Sequence, residues 1–266
     1  MLKLSQDVKE GVESGSAVVA LESTVISHGL PYPTNLAAAR RMEAIIREQG
    51  ALPATVAVLG GSLRVGLTDA ELVHLATAEQ IRKASRRDLP VLVSSGGDGA
   101  TTVAATATIA SWAGIRVLAT GGIGGVHKDA PFDISNDLPT LASVPIAVVC
   151  AGAKSILDLG ATLQWLETAG VPVVGYGTDE FPAFYSRTSG LSVDARADSA
   201  EEAAAIIHAG FQMRQPGGML VTVPVPAGSA LSPEYVEAAV ASALSEAQAR
   251  SIAGSASTPF LLDWMA

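Results

Sequence analysis

Seven short apolar runs, interleaved with longer stretches of helical periodicity, limit what this chain can become. The runs are Ala17–Leu21, Thr55–Leu59, Pro90–Ser94, Arg116–Ala119, Ile146–Cys150, Pro172–Tyr176 and Met219–Val223. Most are rich in valine or isoleucine and none alternates strictly, the pattern of strands buried on both faces. Helices are expected over Asn35–Gln49, Asp69–Ala78, Thr101–Ala113, Ser155–Ala169, Ala200–Arg214 and Ser232–Ala249. Thr68 and Glu71 form a capping-box pattern, and Ser232-Pro233 sets a capping hydroxyl before a first-turn proline. Repeated strand–helix alternation predicts an α/β fold: a three-layer α/β/α arrangement around a mostly parallel central sheet. No linker, repeat or low-complexity segment interrupts the pattern, so residues 1–266 are expected to form a single domain large enough to bury a sizeable core.

Composition narrows the partners. With 48% hydrophobic residues, 16% charged residues and a net charge of −9, the chain offers no broad basic surface for nucleic acid. A phosphorylated substrate would need local positive charge. The lone cysteine, Cys150, rules out an internal disulfide and suits a reducing compartment. The polar N-terminus lacks the apolar core of a signal peptide. No apolar run reaches the roughly 20 residues that span a bilayer. A soluble cytoplasmic protein without membrane association is expected.

In parallel sheets, ligands bind beyond the carboxyl ends of strands. Five such ends carry polar or glycine-rich segments: ESTVISHG, GGSLRVG, SSGGDGATT, TGGIGGVHK and CAGAKS. Lysine is scarce, and Lys154 stands apart. It follows an apolar strand and precedes an apolar helix, where desolvation and the helix N-terminus would both favour the neutral amine that attacks a carbonyl. An anion-binding or snorkelling lysine is an equal alternative. Glu22, at the mouth of another buried strand, could be a general acid or a capping carboxylate, and its position alone favours the latter.

The segment FDISND places Asp133 and Asp137 around Ser135 and Asn136, hard donors suited to Mg²⁺ or Mn²⁺, although aspartates in such loops more commonly cap turns. SSGGDGATT leads into a helix and could cradle phosphate. TGGIGGVH has the wrong spacing for a dinucleotide fingerprint, so an NAD-dependent dehydrogenase is a distant reading. The run Arg86-Arg87-Asp88, near Lys83, could help hold a phosphate or be a solvated face, and in isolation the solvated face is favoured.

Taken together, ALESTVISHGLPYPTN, KASRRDLP, GATTVAAT, ATGGIGGVHK, FDISNDL, VVCAGAKSILDL, GTDEFPAFYSR and STPFLL resemble the pseudouridine-5′-phosphate glycosidase family, which includes the indigoidine synthase A proteins. The resemblance runs in order from about Val18 to Leu262. It implies reversible conversion of pseudouridine 5′-phosphate and water into uracil and ribose 5-phosphate. It also implies a divalent ion, usually manganese with magnesium as the substitute, and a homotrimer. By motif, Glu22 matches the proton donor and Lys154 the nucleophile. Lys83 and Val103 match substrate contacts, Asp133 the metal ligand, and Ser135, Asn136 and Asp137 further substrate contacts.

Two departures bear on the substrate. Asn136 stands where the family usually has alanine, and family members normally continue beyond TPFLL. A related C-glycosynthase, joining ribose 5-phosphate to an aromatic acceptor, is therefore the rival activity. A non-catalytic sugar-phosphate-binding protein is the reading from another class.

Overall fold

The structure, a computed structural model, describes residues 1–128, 130–250, 252, 260, 261 and 264. Most of the STPFLL motif lies outside the described residues. The chain divides into two compact units, Met1–Ala119 and Thr120–Ala266.

The first unit runs β1 (Leu2–Leu4), α1 (Gln6–Ser14), β2 (Val18–Leu21), α2 (Thr24–His28), α3 (Thr34–Glu48), β3 (Leu52–Leu59), β4 (Ser62–Val65), α4 (Asp69–Thr77), β5 (Arg82–Ala84), α5 (Leu89–Ser95), β6 (Gly99–Thr101), α6 (Val103–Trp112) and β7 (Val117–Ala119). The strand order is β1-β4-β3-β2-β7. β3 organises it. Its first half, Leu52–Thr55, pairs in parallel with β2, and its second half, Val56–Leu59, pairs antiparallel with β4. β6 takes over the β2 edge of β3 at Ala57 and Val58, so β2 hands over to β6 just where Leu21 ends. Residues Pro53–Leu59 are all buried, which explains their continuous apolar character. Ile26, Leu36, Leu72 and Leu75, from α2, α3 and α4, pack with Ala57 and Leu59. Each such side chain withdrawn from water contributes about 1.5–3 kcal/mol.

The second unit runs β8 (Val126–His127), β9 (Ala130–Ile134), α7 (Asp137–Leu141), β10 (Ala147–Cys150), β11 (Leu157–Asp158), α8 (Leu159–Thr168), β12 (Val173–Tyr176), β13 (Ala195–Ala197), α9 (Ala200–Gln212), β14 (Met219–Thr222) and α10 (Pro233–Ala249). β10, β14, β12 and β13 lie side by side, all parallel. β11, β8 and β9 form a small antiparallel sheet. The α/β class with a mostly parallel sheet and flanking helices is as expected, and six of the seven expected strands are present.

Three local expectations are corrected. Pro90–Ser94 is helical, within α5. A Ser85–Asp88 capping box, Pro90 in the first turn and Gly96 in the left-handed conformation punctuate a helix there and override the valine content. GGSLRVG is the turn and return strand of the β3–β4 hairpin, with Gly60 and Gly61 both at positive φ. α8 begins at Leu159 instead of Ser155, because the Asp158 carboxylate accepts the Ala161 N–H and caps it there.

Candidate active site

In the first unit, Glu22 leaves β2 at the handover to β6 and is half-buried. Its neighbour Ser23 is fully buried and ties the two strands to β3. Ser23 Oγ donates to the Val56 carbonyl (2.6 Å) and accepts the Thr101 N–H (2.8 Å). Thr101 Oγ1 also donates to the Val56 carbonyl (2.7 Å), and Thr106 Oγ1 donates to Thr101 Oγ1 (2.9 Å). This interior network fixes the backbone that presents Glu22. Fully satisfied networks of this kind rigidify a site.

Lys83 lies half-buried on β5, in register with Ala100 of β6. β6 runs into Thr102, whose hydroxyl caps α6 by accepting the Ala105 N–H, and Val103 is the first residue of that helix. First-turn N–H groups have no partner within their own helix. The start of α6 beside the β5–β6 pair thus combines backbone donors with a lysine, a suitable seat for phosphate. Arg86 and Arg87 are exposed, as expected of a solvated face. Asp88 between them and α5 is instead buried, bonding Arg82 (2.5 Å) and the Ser85 N–H (2.9 Å). His28, which closes α2, was not singled out in the sequence. Burial, then the Lys83 charge, hold its imidazole below the usual range, against a hydrogen bond to Ile81 backbone. Its Nε2 is buried and has no hydrogen-bond partner among the described residues.

In the second unit, the glycine-rich strap Gly121–Val126 runs between the loop that carries Lys154 and the FDISND segment. On one side it pairs with the lysine loop: Ala151 N–H donates to Gly121 O, Ile123 N–H to Gly152 O, and Lys154 N–H to Ile123 O (3.0, 3.0 and 3.1 Å). On the other it meets FDISND. Asp137 Oδ2 accepts the Gly124 N–H (2.8 Å) and Ser135 N–H donates to Gly125 O (2.9 Å). Lys154 and Ser135–Asp137 are thus held on opposite sides of one strap.

Lys154 is half-buried in a loop five residues ahead of α8. The expected contribution of a helix N-terminus to its amine is therefore withdrawn: a turn at Ser155–Ile156 and strand β11 intervene. Asp137 is buried and engaged with the strap, Ser135 is half-buried and Asn136 is exposed at the start of α7.

The family model described as "Indigoidine synthase A like protein" matches residues 7–266. The chain belongs to this family. A pseudouridine-5′-phosphate glycosidase of Symbiobacterium thermophilum is 55% identical over 98% of this chain and 87% of its own length. One from Caldanaerobacter subterraneus subsp. tengcongensis is 53% identical over 98% and 86%. Among solved structures, the prealnumycin C-glycosynthase AlnA in complex with ribulose 5-phosphate is 40% identical, with a TM-score of 0.91 over 100% of this chain and 87% of its own. An indigoidine synthase A-like protein from Thermotoga maritima is 34% identical, with a TM-score of 0.90 over 100% and 86%.

For a member of this family the metal question turns on Asp133. It lies half-buried on β9. Among the described residues no group of three His, Cys, Asp or Glu side chains could hold a metal ion. With Asp137 committed to Gly124, Asp133 is the carboxylate of FDISND left for an ion. One or two carboxylates completed by water and substrate oxygens is the ordinary coordination of Mg²⁺, and Mn²⁺ takes the same hard donors. The residues present therefore fit an ion shared with a phosphorylated substrate. No helix among the described residues is long and apolar enough to cross a membrane.

Proposed function

We propose that this chain is a C-glycosidase that cleaves, and in reverse forms, the carbon–carbon bond between ribose 5-phosphate and uracil. The observation that carries the reading is 55% identity, across 98% of the chain, to a protein named for that activity. A carbon leaving group explains the residue types. The neutral Lys154 amine attacks C1′, the ring C1′–O4′ bond breaks, and O4′ takes a proton. The nitrogen lone pair then forms the C=N bond as the C1′–C5 bond breaks, and Glu22 protonates C5 of the departing uracil. Water adds to the imine and releases ribose 5-phosphate, restoring the amine. Lys83 and the start of α6 at Val103 hold the phosphate, while Ser135, Asn136 and Asp137 border the substrate. A bound Mn²⁺, or Mg²⁺ in its place, would supply Lewis-acid charge neutralisation, with Asp133 as its protein ligand. The protein works as a cytoplasmic homotrimer in this reading.

The test is borohydride reduction in the presence of ribose 5-phosphate, followed by mass mapping. A stable adduct on Lys154, absent in Lys154→Ala, is expected, together with formation of pseudouridine 5′-phosphate when uracil is added. An adduct on another residue overturns the mechanism.

A second reading has its own support. The likeness to the C-glycosynthase AlnA and the exposed Asn136 in the substrate loop favour an aromatic acceptor in place of uracil. Assaying ribose 5-phosphate consumption with uracil and with a polycyclic aromatic acceptor separates the two. Binding of ribose 5-phosphate with neither turnover nor adduct would leave only a sugar-phosphate-binding protein.

A further inference from the structure

The lysine loop has a second neighbour besides the strap. Ala183 and Ser186 exchange backbone hydrogen bonds (3.0 and 3.4 Å), so Phe184 and Tyr185 occupy the tip of a tight turn. Phe184 has φ +63 while Tyr185 is not among the residues at positive φ. A turn with positive φ at its first central position alone is one that glycine normally fills. A bulky residue there is strained and persists only where its surroundings over-determine it.

Those surroundings are the loop that carries Lys154. Phe184 N–H donates to Ala151 O (3.0 Å), Ser155 Oγ donates to Ala183 O (2.5 Å), and Gly152 bridges Ala183. The fit leaves no slack: a Cβ on Gly152 would lie 2.0 Å from Pro182 O, and one on Gly122 would lie 2.5 Å from the Phe184 ring. The ring therefore lies against the strap at Gly122, whose neighbour Ile123 accepts the Lys154 N–H. Tyr185 packs edge-on against Phe184 at 4.6 Å between centroids, and its carbonyl accepts the Leu231 N–H (2.9 Å). The turn is thus anchored from behind while it presses on both strands that frame Lys154.

We infer that Phe184 is a positioning residue for Lys154: its strained turn clamps residues 151–155 against the strap and so fixes the orientation of the attacking amine. This rests on Lys154 being the nucleophile. Phe184→Gly removes the ring and suits the backbone conformation, so the chain should still fold. The readout is the rate of borohydride-trapped adduct formation as a function of ribose 5-phosphate concentration, which separates the limiting rate from the half-saturating concentration. In Phe184→Gly the limiting rate should fall about tenfold while the half-saturating concentration stays within about twofold of wild type. Phe184→Tyr, which keeps the ring, should restore the wild-type limiting rate. An unchanged limiting rate in Phe184→Gly that circular dichroism shows to be folded overturns the inference. So does a limiting rate that Phe184→Tyr fails to restore. If the wild-type adduct maps away from Lys154, the functional reading fails instead, and the two failures are distinct.

Discussion

Replacing Ser23 by alanine tests how strongly the buried hydroxyl network next to Glu22 stabilises the fold. The substitution leaves the Thr101 N–H without its acceptor, in an interior where Ser23 and Thr101 are both fully buried. An orphaned buried donor costs about 1–3 kcal/mol. The Val56 carbonyl loses one of two donors and keeps Thr101 Oγ1, so its share is smaller. A total of about 2–3 kcal/mol is expected, and at about 2–4 °C per kcal/mol the melting temperature should fall by about 4–12 °C. Calorimetry on the purified protein reads this directly. Thr106→Val removes one donor to Thr101 Oγ1 and should cost less, about 0.5–1.5 kcal/mol. Combining Ser23→Ala with Thr101→Val strips the Val56 carbonyl of both hydroxyl donors, so the double variant should lose more than the sum, with a coupling of about 0.5–3 kcal/mol. A melting shift under about 2 °C for Ser23→Ala, below one kcal/mol by the same conversion, would refute the reasoning. Additivity in the double variant would show that the hydroxyls act separately.

Other consequences can be measured independently. Burial raises the Asp98 carboxyl, but the Gly60 N–H and His74 outweigh it and hold it below the ordinary value. A depressed carboxyl contributes stability that is complete above its unfolded pKa of about 3.9 and is lost as pH falls through the folded value. Asp98→Asn should therefore lower stability at neutral pH and flatten the loss below about pH 4, seen in urea melts across acid pH. Lys83→Met removes one of two causes that depress His28, so its NMR titration should shift upward yet stay below the usual histidine value, because burial remains. No shift would remove Lys83 from the neighbourhood of His28. Asp137→Ala leaves the buried Gly124 N–H unpaired and should cost about 1–3 kcal/mol, whereas Asp137→Asn, keeping an acceptor, should cost less. Equal losses would assign the effect to charge and not to the hydrogen bond.

What was legible in the sequence was what burial dictates locally. The valine- and isoleucine-rich runs of β2, β3, β10, β12 and β14 are strands because both their faces are covered, and Thr68 and Ser232 cap α4 and α10 through their own neighbours. Local punctuation overrides apolar content at Pro90–Ser94, and the Asp158 cap starts α8 only at Leu159 although the apolar run begins just past Lys154. The three-residue strands β1, β5, β6 and β13 were not foreseen, being too short to show a period. The support of the site was hidden for another reason. Ser23 meets Thr101 across 78 positions, and Ser155 meets Ala183 across 28. Such contacts exist only once the chain has folded. The motifs ESTV and GATT carried the residues but not the pairing.

The glycine-rich strap shows how the same residues acquire a different purpose in three dimensions. TGGIGGV invites reading as a phosphate cradle, which requires backbone N–H groups left free for an anion. Here the donors of Thr120, Ile123, Gly124 and Val126 are already spent on Val149 O, Gly152 O, Asp137 Oδ2 and Thr162 Oγ1. The glycines answer to lateral crowding instead. A Cβ on Gly124 would fall 2.2 Å from Ser135 Oγ, and one on Gly125 would fall 2.3 Å from Thr162 Oγ1. The strap is therefore thin because side chains press on it from the FDISND segment and from α8, and its thinness lets one backbone pair with both the Lys154 loop and Ser135–Asp137. The other glycine-rich segment differs: where β6 ends, the first turn of α6 supplies N–H groups that its own helix cannot use.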